Sequence, residues 1–316
     1  MKLIMKFMKF AVTGGAGFVG NNIARLLISK GYEVIVIDNL HTGKKENLED
    51  ILENIQFQQI DVRNFEELRD ALKDVDGIFH EAALTVVQES FEKTDEYFDV
   101  NVHGTENILK IANEYKIKVV FASSSAIYGD SEKIPISEES KKEPINPYGE
   151  TKLQNEILAE KYAKKGTKVI GLRYFNIFGK GQTGSYAGVI TKFLEKIFLN
   201  EELDIFGDGK QTRDFIHVYD IAEINLIAMQ SDIDFGFFNI GAGTAISIND
   251  LAKTMIELSN KKLKINYKKP LKGDIKQSVA DTQNTEKIFG WKSKISLKNG
   301  LGNLLDEKLF SKNSTI

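Results

Sequence analysis

The sequence predicts an α/β fold built on a doubly wound parallel sheet, and two of its patterns carry this prediction. Short apolar runs occur at 10–14, 33–38, 57–61, 77–82, 118–124 and 168–175. Amphipathic segments lie between them at 21–29, 65–72, 99–115 and 148–163. Strands that alternate with helices are typical of a parallel sheet covered by helices on both faces, and continuous apolar strands fit that double burial.

The pattern becomes irregular after Phe175. Glycine-rich segments interrupt it at 178–184, 205–215 and 238–243. Two further amphipathic segments, at 186–199 and 248–259, lie among loops rather than in a regular series of strands and helices. This change predicts a smaller, loop-rich α/β lobe beside the sheet.

The composition narrows the class of protein before any motif is considered. The 316 residues are 42% hydrophobic and 28% charged, which suits a folded chain of about two domains. The 42 basic and 45 acidic residues give a net charge of −3, so we expect no nucleic-acid partner. The absence of cysteine excludes disulfides and a thiolate nucleophile. Because the four histidines are isolated from one another, at His41, His80, His103 and His217, we expect no metal site.

The amino terminus, MKLIMKFMKF, alternates lysine with apolar residues and lacks the run of about seven apolar residues that a signal peptide contains. Met8 could also serve as the start, with 1–7 as an addition of little structural role. No stretch approaches the ~18 apolar residues of a membrane span. We therefore expect a soluble, cytoplasmic protein without a membrane partner.

A glycine-rich turn joins the first predicted strand to the first helix. In TGGAGFVG at 13–20, Gly14, Gly17 and Gly20 allow the backbone to approach a pyrophosphate at the amino terminus of the helix. Asp38 ends the next strand, near the ~20-residue offset expected for an acid that binds ribose. The strand before, the helix after and this acid together predict a dinucleotide site on a Rossmann-type sheet.

Two acids at strand ends bear on how that nucleotide is held. Asp38 can accept hydrogen bonds from both ribose hydroxyls but would repel a 2′-phosphate, which favours NAD over NADP. Lys44 and Lys45 follow closely and could soften that repulsion. Asp61, at the end of the third strand, either meets the adenine amino group or caps the helix that starts at Phe65.

The segment NPYGETK at 146–152 opens a helix, with Asn146 suited to the cap and Pro147 to the first turn. Tyr148 and Lys152 are four residues apart, so they share one helix face. Ionising a phenol at pH 7 requires ~3 pKa units, or about 4 kcal/mol. An ammonium ~5 Å away supplies roughly 3 kcal/mol, and a positively charged nicotinamide would supply the rest. Tyr148 is therefore a candidate general base, although a solvated helix face is the commoner meaning of this spacing.

Motifs spread over nearly the whole chain resemble those of the extended short-chain dehydrogenase/reductases, and most closely those of the UDP-sugar 4-epimerases. The matching segments are TGGAGFVG at 13–20, DNLHTGKKENL at 38–48, HEAA at 80–83, NVHGTENIL at 101–109, SSSAIYG at 123–129, NPYGETK at 146–152, LRYFNIFG at 172–179 and RDFIHVYDIA at 213–222. The resemblance implies a Rossmann-type NAD-binding domain over 1–175 plus about 213–240. It assigns 176–212 and 241–316 to a nucleotide-sugar-binding lobe.

The resemblance also implies roles for individual residues. Tyr148, Lys152 and Ser124 match the catalytic positions, with Ser124 hydrogen-bonded to the sugar 4-hydroxyl. Cofactor contacts are implied for Gly14, Gly17, Phe18, Val19, Gly20, Asp38, Asn39, Thr42, Gly43, Asp61, Val62, Ala82, Ala83, Asn101, Tyr148, Lys152 and Tyr174. Substrate contacts are implied for Ser124, Ser125, Asn176, Val189, Phe206, Arg213, Asp274 and Ser278.

Three of these positions have a second interpretation. Ser124 could satisfy its own backbone at the end of a strand. Arg213 could form a surface pair with Asp214, and Phe206 could pack in a core instead of against uracil.

One position departs from the family pattern. The family usually has an arginine that contacts the diphosphate where this chain has Leu271, and Lys269 or Lys272 could supply the charge instead. The departure leaves other nucleoside diphosphates open as the carrier of the sugar.

The resemblance further implies a class of reaction. Related 4,6-dehydratases carry Asp and Glu where this chain has Ser125 and Ala126. The acidic side chain expected for elimination or decarboxylation is therefore absent at these positions. The remaining reaction inverts C4 of a UDP-hexose through a transient 4-keto intermediate on tightly bound NAD. The small Ser278 implies that UDP-GlcNAc and UDP-GalNAc are accepted beside UDP-glucose and UDP-galactose. The alternatives are another nucleotide-sugar epimerase, such as one for UDP-glucuronate, and a non-catalytic NAD-binding regulator.

The family also pairs two subunits through a four-helix bundle. Segments 99–115 and 148–163 match the helices of that bundle, which implies a homodimer. Each segment has an ordinary amphipathic interpretation as well.

Overall fold

The computed structural model describes residues 8–182, 188–270 and 275–313. Three parts of the sequence predictions lie outside the described residues: the segment 1–7, the start of the helix expected at 186, and the substrate contact Asp274 with its neighbours Leu271 and Lys272.

The strands and helices alternate through the first part of the chain. The strands are β1 (Lys9–Thr13), β2 (Glu33–Ile37), β3 (Gln56–Gln58), β4 (Gly77–His80), β5 (Lys118–Ser124), β6 (Val169–Tyr174), β7 (Asn176–Phe178), β8 (Leu203–Phe206), β9 (Thr212–Arg213), β10 (Phe215–His217), β11 (Phe235–Ile240), β12 (Ile246–Ser247), β13 (Ile265–Lys268) and β14 (Gln277–Ser278). The helices are α1 (Phe18–Ser29), α2 (Phe65–Leu72), α3 (Val87–Glu92), α4 (Thr94–Phe98), α5 (Gly104–Tyr115), α6 (Pro147–Ala163), α7 (Val189–Leu199), α8 (Val218–Gln230), α9 (Ile248–Leu258), α10 (Gln283–Phe289) and α11 (Leu297–Asn313).

Within the described residues, seven parallel strands form the central sheet in the order β11-β6-β5-β4-β1-β2-β3. Strand β1 pairs with β2 on one side and with β4 on the other, so the direction of winding reverses beside it. The sheet is therefore doubly wound and Rossmann-like, as the alternation of strands and helices predicted. Ligands of such sheets bind outside the carboxyl ends of the strands, at the reversal.

The side chains of the central strands alternate between two hydrophobic layers. Phe10 and Val12 of β1 pack on one side of the sheet, whereas Ala11 packs on the other. In β5, Val120 belongs to the first layer and Phe121 to the second. Because both faces are covered, each strand is a continuous apolar run rather than an alternation of apolar and polar residues.

The predicted elements are present, with shifted boundaries. Helix α1 begins at Phe18, three residues before the expected start, because Gly17 already takes the extended conformation of a cap. Strand β3 ends at Gln58 instead of extending to 61. The helix expected at 99–115 continues from α4 through a π-helical turn at Asp99–His103 into α5.

The irregular pattern expected after Phe175 is wrong for one segment, because α8 and β11 form a regular unit that completes the central sheet. The glycines at Gly241 and Gly243 suggested a loop, but they follow the apolar run FGFFNI that forms β11. Helix α8 is buried over much of its surface, so it lacks the polar face that marks an amphipathic helix in a sequence.

A third hydrophobic cluster forms the core of the second lobe, where α7, α9 and α11 contribute buried side chains such as Phe193, Leu251 and Leu301. The segments predicted as helices at 186–199 and 248–259 are α7 and α9. The exact division of the chain into two domains stays a prediction. In the described ranges, no helix combines the length and the hydrophobicity needed to cross a membrane.

Candidate active site

A cleft lies at the carboxyl ends of the central strands and reaches from the glycine-rich turn to helix α6. Most of the predicted cofactor residues line it, together with the three predicted catalytic residues. The predicted residues in its wall are Gly14, Gly17, Phe18, Val19, Gly20, Asp38, Asn39, Thr42, Val62, Ala82, Ala83, Ser124, Tyr148, Lys152 and Tyr174. The structure therefore brings together motifs that are far apart in the sequence.

The glycine-rich turn forms one end of the cleft. Gly14 has a φ of 66°, and a Cβ at this position would lie 2.7 Å from the backbone nitrogen of Ala82. In the described structure, helix α1 has no acidic residue in its first turn, and its cap Gly17 offers no side chain to the free N–H groups. These N–H groups and the positive end of the helix dipole suit an anion such as a pyrophosphate.

Asp38 lies at the end of β2, on the wall of the cleft beside this turn. Its carboxylate accepts hydrogen bonds from the backbone N–H groups of Ala16, at 3.0 Å, and Leu40, at 2.8 Å. Burial raises the pKa of Asp38, and the two N–H groups oppose that rise. The glycine-rich turn and the loop after β2 thus hold the carboxylate at the wall of the cleft, at the position where an acid binds ribose in a Rossmann-type site.

Asp61 does not line the cleft in the described structure. Its carboxylate accepts hydrogen bonds from Arg63, at 2.8 and 2.9 Å, and from the Asn39 side chain, at 2.9 Å. Asn64 caps α2, so the alternative interpretation of Asp61 as the helix cap is wrong. Its contact with adenine stays a prediction.

Helix α6 starts as its sequence predicted. The Asn146 side chain accepts a hydrogen bond from the Gly149 N–H at 2.8 Å, and Pro147 occupies the first turn. Tyr148 and Lys152 lie one turn apart on the face that lines the cleft. The Lys152 ammonium lies 5.9 Å from the centre of the Tyr148 ring and donates to the Ala122 carbonyl at 2.8 Å.

The electrostatics of this pair differ from the expectation in one respect. Burial raises the pKa of Tyr148, and the hydrogen bond with Ser124 opposes the rise without cancelling it. Burial also lowers the pKa of Lys152 to about 8. The chain by itself therefore keeps Tyr148 as a neutral phenol, and the expected ionisation depends on a further positive charge.

Ser124 satisfies its own backbone, as one interpretation of its sequence allowed, and its contact with the sugar 4-hydroxyl stays a prediction. Its hydroxyl accepts a hydrogen bond from the Ala126 N–H at 3.1 Å and so caps the short 3-10 helix Ser125–Tyr128. The same side chain forms a hydrogen bond with Tyr148 in the cleft. Backbone capping fixes the position of the hydroxyl beside the candidate base.

Glu81 is a titratable residue of the cleft that sequence reasoning missed. It directly follows β4, as Asp38 directly follows β2, and this position at a strand end was the available signal. The Tyr174 hydroxyl donates to Glu81 Oε1 at 3.0 Å and accepts from the Asn225 amide at 2.7 Å. Burial raises the pKa of Glu81 to about 8, against the opposing effects of Tyr174 and Lys152.

Other predicted cofactor residues lie behind the wall of the cleft. Asn101, fully buried in the π-helical turn, donates to the Leu84 carbonyl at 3.0 Å and to Thr151 Oγ1 at 3.0 Å. It also accepts from the Leu84 N–H at 2.8 Å. Asn101 thus ties the cleft loop that contains Leu84 to helix α6. A Cβ on Gly43 would lie 2.8 Å from the Asp38 carboxylate, so Gly43 packs directly against that acid.

The predicted substrate residues Ser125, Asn176, Val189, Phe206, Arg213 and Ser278 do not line the cleft in the described structure. Ser278 of β14 pairs in register with Arg213 of β9, so these two lie side by side. The core-packing alternative for Phe206 is wrong, since 37% of this residue is exposed.

The proposed surface pair between Arg213 and Asp214 is also wrong. Asp214 is fully buried, and its carboxylate accepts hydrogen bonds from the N–H groups of Ala242, Gly243 and Ala280 at 2.7 to 3.0 Å. The acid therefore joins the loop after β11 to the chain after β14.

The histidines have structural partners. His80 lies between the hydroxyls of Thr13, at 2.7 Å, and Thr105, at 3.0 Å, and burial lowers its pKa to about 3. His217 accepts the Tyr219 N–H at 3.2 Å and caps α8. Both are packed, hydrogen-bonded residues, as predicted. Among the residues that the structure describes, no group of three or more His, Asp or Glu side chains could hold a metal ion.

Comparison with known proteins identifies the family. The family model described as "NAD dependent epimerase/dehydratase family" matches residues 10–241. The chain belongs to this family. A crystal structure of UDP-glucose 4-epimerase from Thermotoga maritima, with UDP-glucose, is 35% identical with a TM-score of 0.92, covering 97% of this chain and 100% of that chain.

Two other relatives show the range of activities. UDP-N-acetylglucosamine 4-epimerase from Methanobrevibacter ruminantium, in complex with UDP-N-acetylmuramic acid, is 34% identical with a TM-score of 0.92, covering 97% of this chain and 100% of that chain. A UDP-N-acetyl-alpha-D-glucosaminuronate decarboxylase of Bacillus cytotoxicus is 35% identical over 80% of this chain and 81% of its own length. The relatives share a class of substrate but differ in the sugar and the reaction.

The cofactor of the family, NAD, fits the residues present. The glycine-rich turn leaves the N–H groups of α1 for a diphosphate, and Asp38 suits the hydroxyls of a ribose without a 2′-phosphate. Tyr148 and Lys152 line the other end of the same cleft. These residues would hold NAD, which would supply hydride transfer in this cleft.

Proposed function

We propose that this protein inverts C4 of a UDP-hexose: UDP-glucose and UDP-galactose, and also UDP-GlcNAc and UDP-GalNAc. The observation that carries the proposal is the meeting of Tyr148, Lys152 and Ser124 on one wall of the NAD cleft. The chain supplies a proton acceptor, a cation and a hydrogen-bond partner there. Oxidation at C4 followed by reduction at the same carbon uses these groups.

In this mechanism Tyr148 takes the proton of the sugar 4-hydroxyl and later returns it. Ser124, held by the Ala126 N–H, hydrogen-bonds the same hydroxyl and orients it toward the phenol oxygen. Lys152, fixed on the Ala122 carbonyl, stabilises the phenolate by its charge. NAD held in this cleft would supply a hydride acceptor and donor for C4, together with the positive charge that ionisation of Tyr148 requires.

The residues after Ser124 favour epimerisation over the reactions of other family members. Ser125 and Ala126 occupy the first turn of the 3-10 helix beside the cleft, and neither carries a carboxyl group. The related dehydratases and decarboxylases generally need an acid there. The similarity to the decarboxylase therefore supports a nucleotide sugar as the substrate of this chain, but it does not support decarboxylation as its reaction.

The second lobe supports a nucleotide sugar as the substrate. Because β14 and β9 pair, Ser278 lies beside Arg213, which suits a diphosphate by its charge and geometry. Ser278 is small, and a small side chain at this position leaves room for a 2-acetamido group. This arrangement supports acceptance of both the plain and the acetamido hexoses.

We also propose that the protein acts as a homodimer through α5 and α6, the helices that match the family's four-helix bundle. Ile157 on α6 is 49% exposed although it lies in the middle of the helix. Phe91, in the nearby helix α3, is 44% exposed. Burial of such side chains against a second copy would stabilise the pair.

The decisive experiment incubates the purified protein with UDP-glucose or UDP-GlcNAc, without added reductant, and separates the products by anion-exchange chromatography. We expect the C4 stereoisomer of each. Ser278→Tyr should lose the reaction with UDP-GlcNAc and keep that with UDP-glucose, whereas the matched control Ser278→Ala should keep both. Turnover of UDP-glucuronate alone would indicate the alternative epimerase, and no turnover of any of these sugars would contradict the proposal.

A further inference from the structure

Glu81 is a carboxyl group at the catalytic end of the cleft that the proposed mechanism does not use. It lines the cleft together with Tyr148, Lys152 and Tyr174. The backbone after β4 places it there, and the hydrogen bond from Tyr174, at 3.0 Å, holds its Oε1. Tyr174 is itself held by the Asn225 amide at 2.7 Å. This chain of hydrogen bonds fixes the carboxyl group in one place.

The titratable groups around Glu81 come from three elements. Helix α6 contributes Tyr148 and Lys152, β6 contributes Tyr174, and β4 contributes the neighbouring His80. His80 has a pKa lowered to about 3 and so carries no charge near neutral pH. Lys152 is therefore the cation that Glu81 faces, and Tyr148 is the acid whose ionisation its charge opposes.

We propose that Glu81 is a positioning residue of the active site whose charge sets the pH range in which the Tyr148–Lys152 pair works. This inference rests on the proposed function for its kinetic part only. A carboxylate at this place makes a phenolate at Tyr148 less favourable and an ammonium at Lys152 more favourable. A neutral Glu81 has neither effect. The pH dependence of the site therefore includes the ionisation of Glu81 in addition to those of Tyr148 and Lys152.

The proposal makes a prediction that a structural role does not share. Because the pKa of Glu81 is about 8, its charge is present on the alkaline side of the profile only, so its removal should move the ionisation of Lys152 to lower pH and leave the acid side in place. The acid limb of the kcat/KM profile reports the base Tyr148, and the alkaline limb reports the cation Lys152. A loss of packing would lower the whole profile without moving it along the pH axis.

The test compares Glu81→Gln, which keeps the size and the acceptor for Tyr174, with the charged variant Glu81→Asp. We expect the alkaline limb of the Glu81→Gln profile to lie about one pH unit lower, equivalent to a tenfold change in that ionisation constant, and the acid limb to stay in place because Glu81 is protonated there. Glu81→Asp should keep the wild-type profile. The control Glu53→Gln, an exposed carboxyl outside the cleft, should change nothing. An unmoved alkaline limb in Glu81→Gln would overturn the proposal.

A second measurement does not depend on epimerase activity. NMR of the protein labelled at tyrosine Cζ follows the ionisation of Tyr148 directly, and Tyr148→Phe identifies its resonance. Without NAD, where burial makes Tyr148 ionise at a pH at which Glu81 is charged, we expect ionisation at lower pH in Glu81→Gln than in the wild type. If no sugar is turned over, this titration alone decides the role of Glu81. If Glu81→Gln does not fold, the uncharged Glu81→Met, which is of similar size, should lower the pH of Tyr148 ionisation in the same direction, and an unmoved or raised ionisation would overturn the proposal.

Discussion

Helix α6 carries two polar clusters one turn apart, and they are built in opposite ways. At Glu156 the charges are fully paired, since Arg173 donates to both carboxylate oxygens at 2.8 Å and Ser123 adds a hydrogen bond at 2.6 Å. At Lys152 the pairing is incomplete, and the pKa values of Lys152 and Glu81 both lie at about 8. Both clusters lie on the side of the helix that faces the sheet.

The difference shows that one helix carries both a cluster that stabilises the fold and a cluster suited to proton transfer. A buried ion pair with all its partners stays charged and holds the helix to the sheet. Buried groups that lack such partners titrate near neutral pH, as a proton-transfer site requires. Tyr148, Lys152 and Glu156 follow one another at intervals of four residues on one helical face. The fully paired cluster therefore lies one turn after the incompletely paired cluster.

The largest expected effect follows from removing the centre of the incompletely paired cluster. Tyr148→Phe deletes the proton acceptor and keeps the ring, so the rate of epimerisation should fall by about 10²- to 10⁴-fold. Binding of NAD, measured by titration of the purified protein, should change little. An unchanged rate would show that Tyr148 is not the base, and an absent rate in the wild type would favour the regulator.

The fully paired cluster should respond in stability instead. Arg173 is 1% exposed and Glu156 is fully buried, so Arg173→Met leaves a buried carboxylate without its main partner. We expect the free energy of unfolding to fall by about 3–5 kcal/mol, measured by denaturant titration. The double variant Arg173→Met/Glu156→Leu should recover part of that loss. If Arg173→Met lowers the free energy of unfolding no more than the double variant does, the ion pair is not what holds α6 to the sheet.

The two clusters were not equally predictable from the sequence. The Tyr148–Lys152 pair was found because its spacing and the preceding cap form a local pattern. The Arg173–Glu156 pair joins a strand to a helix across the fold, and no local pattern connects them. Glu81 was missed for a related reason, because its significance comes from the approach of Lys152 and Tyr174, which only the folded sheet creates.

Local sequence patterns were limited in the same way in predicting the fold. Continuous apolar strands and intervening amphipathic helices predicted the central sheet well. The resemblance assigned about 213–240 to the NAD-binding domain, but the apolar pattern did not show α8 and β11. Burial removes the polar face of the helix, and glycines directly after the strand resemble a loop. Local signals fail where an element is buried on more than one side.

A smaller effect should appear in the pH dependence of stability without cofactor. The folded pKa of Glu81, about 8, lies above the ordinary value of 4.5, so the folded protein binds more protons between those pH values and loses stability as the pH rises through them. Glu81→Gln removes this loss. The difference in unfolding free energy between Glu81→Gln and the wild type should grow in favour of the variant by about 3.5 kcal/mol from pH 5 to pH 8. A difference that stays constant over this range would show that the folded protein does not retain that proton.

The smallest effect is expected where an ion pair lies in water. Arg69 donates to Glu114 at 2.6 and 3.1 Å, a geometry as short as that of the buried pair, yet both side chains are at least 40% exposed. Because solvent screens the attraction and the free side chains lose entropy on pairing, Arg69→Gln should leave the unfolding midpoint unchanged within error. The contrast with Arg173→Met, measured in the same buffer, tests whether burial rather than distance determines the effect of an ion pair. Equal destabilisation by the two substitutions would contradict that explanation.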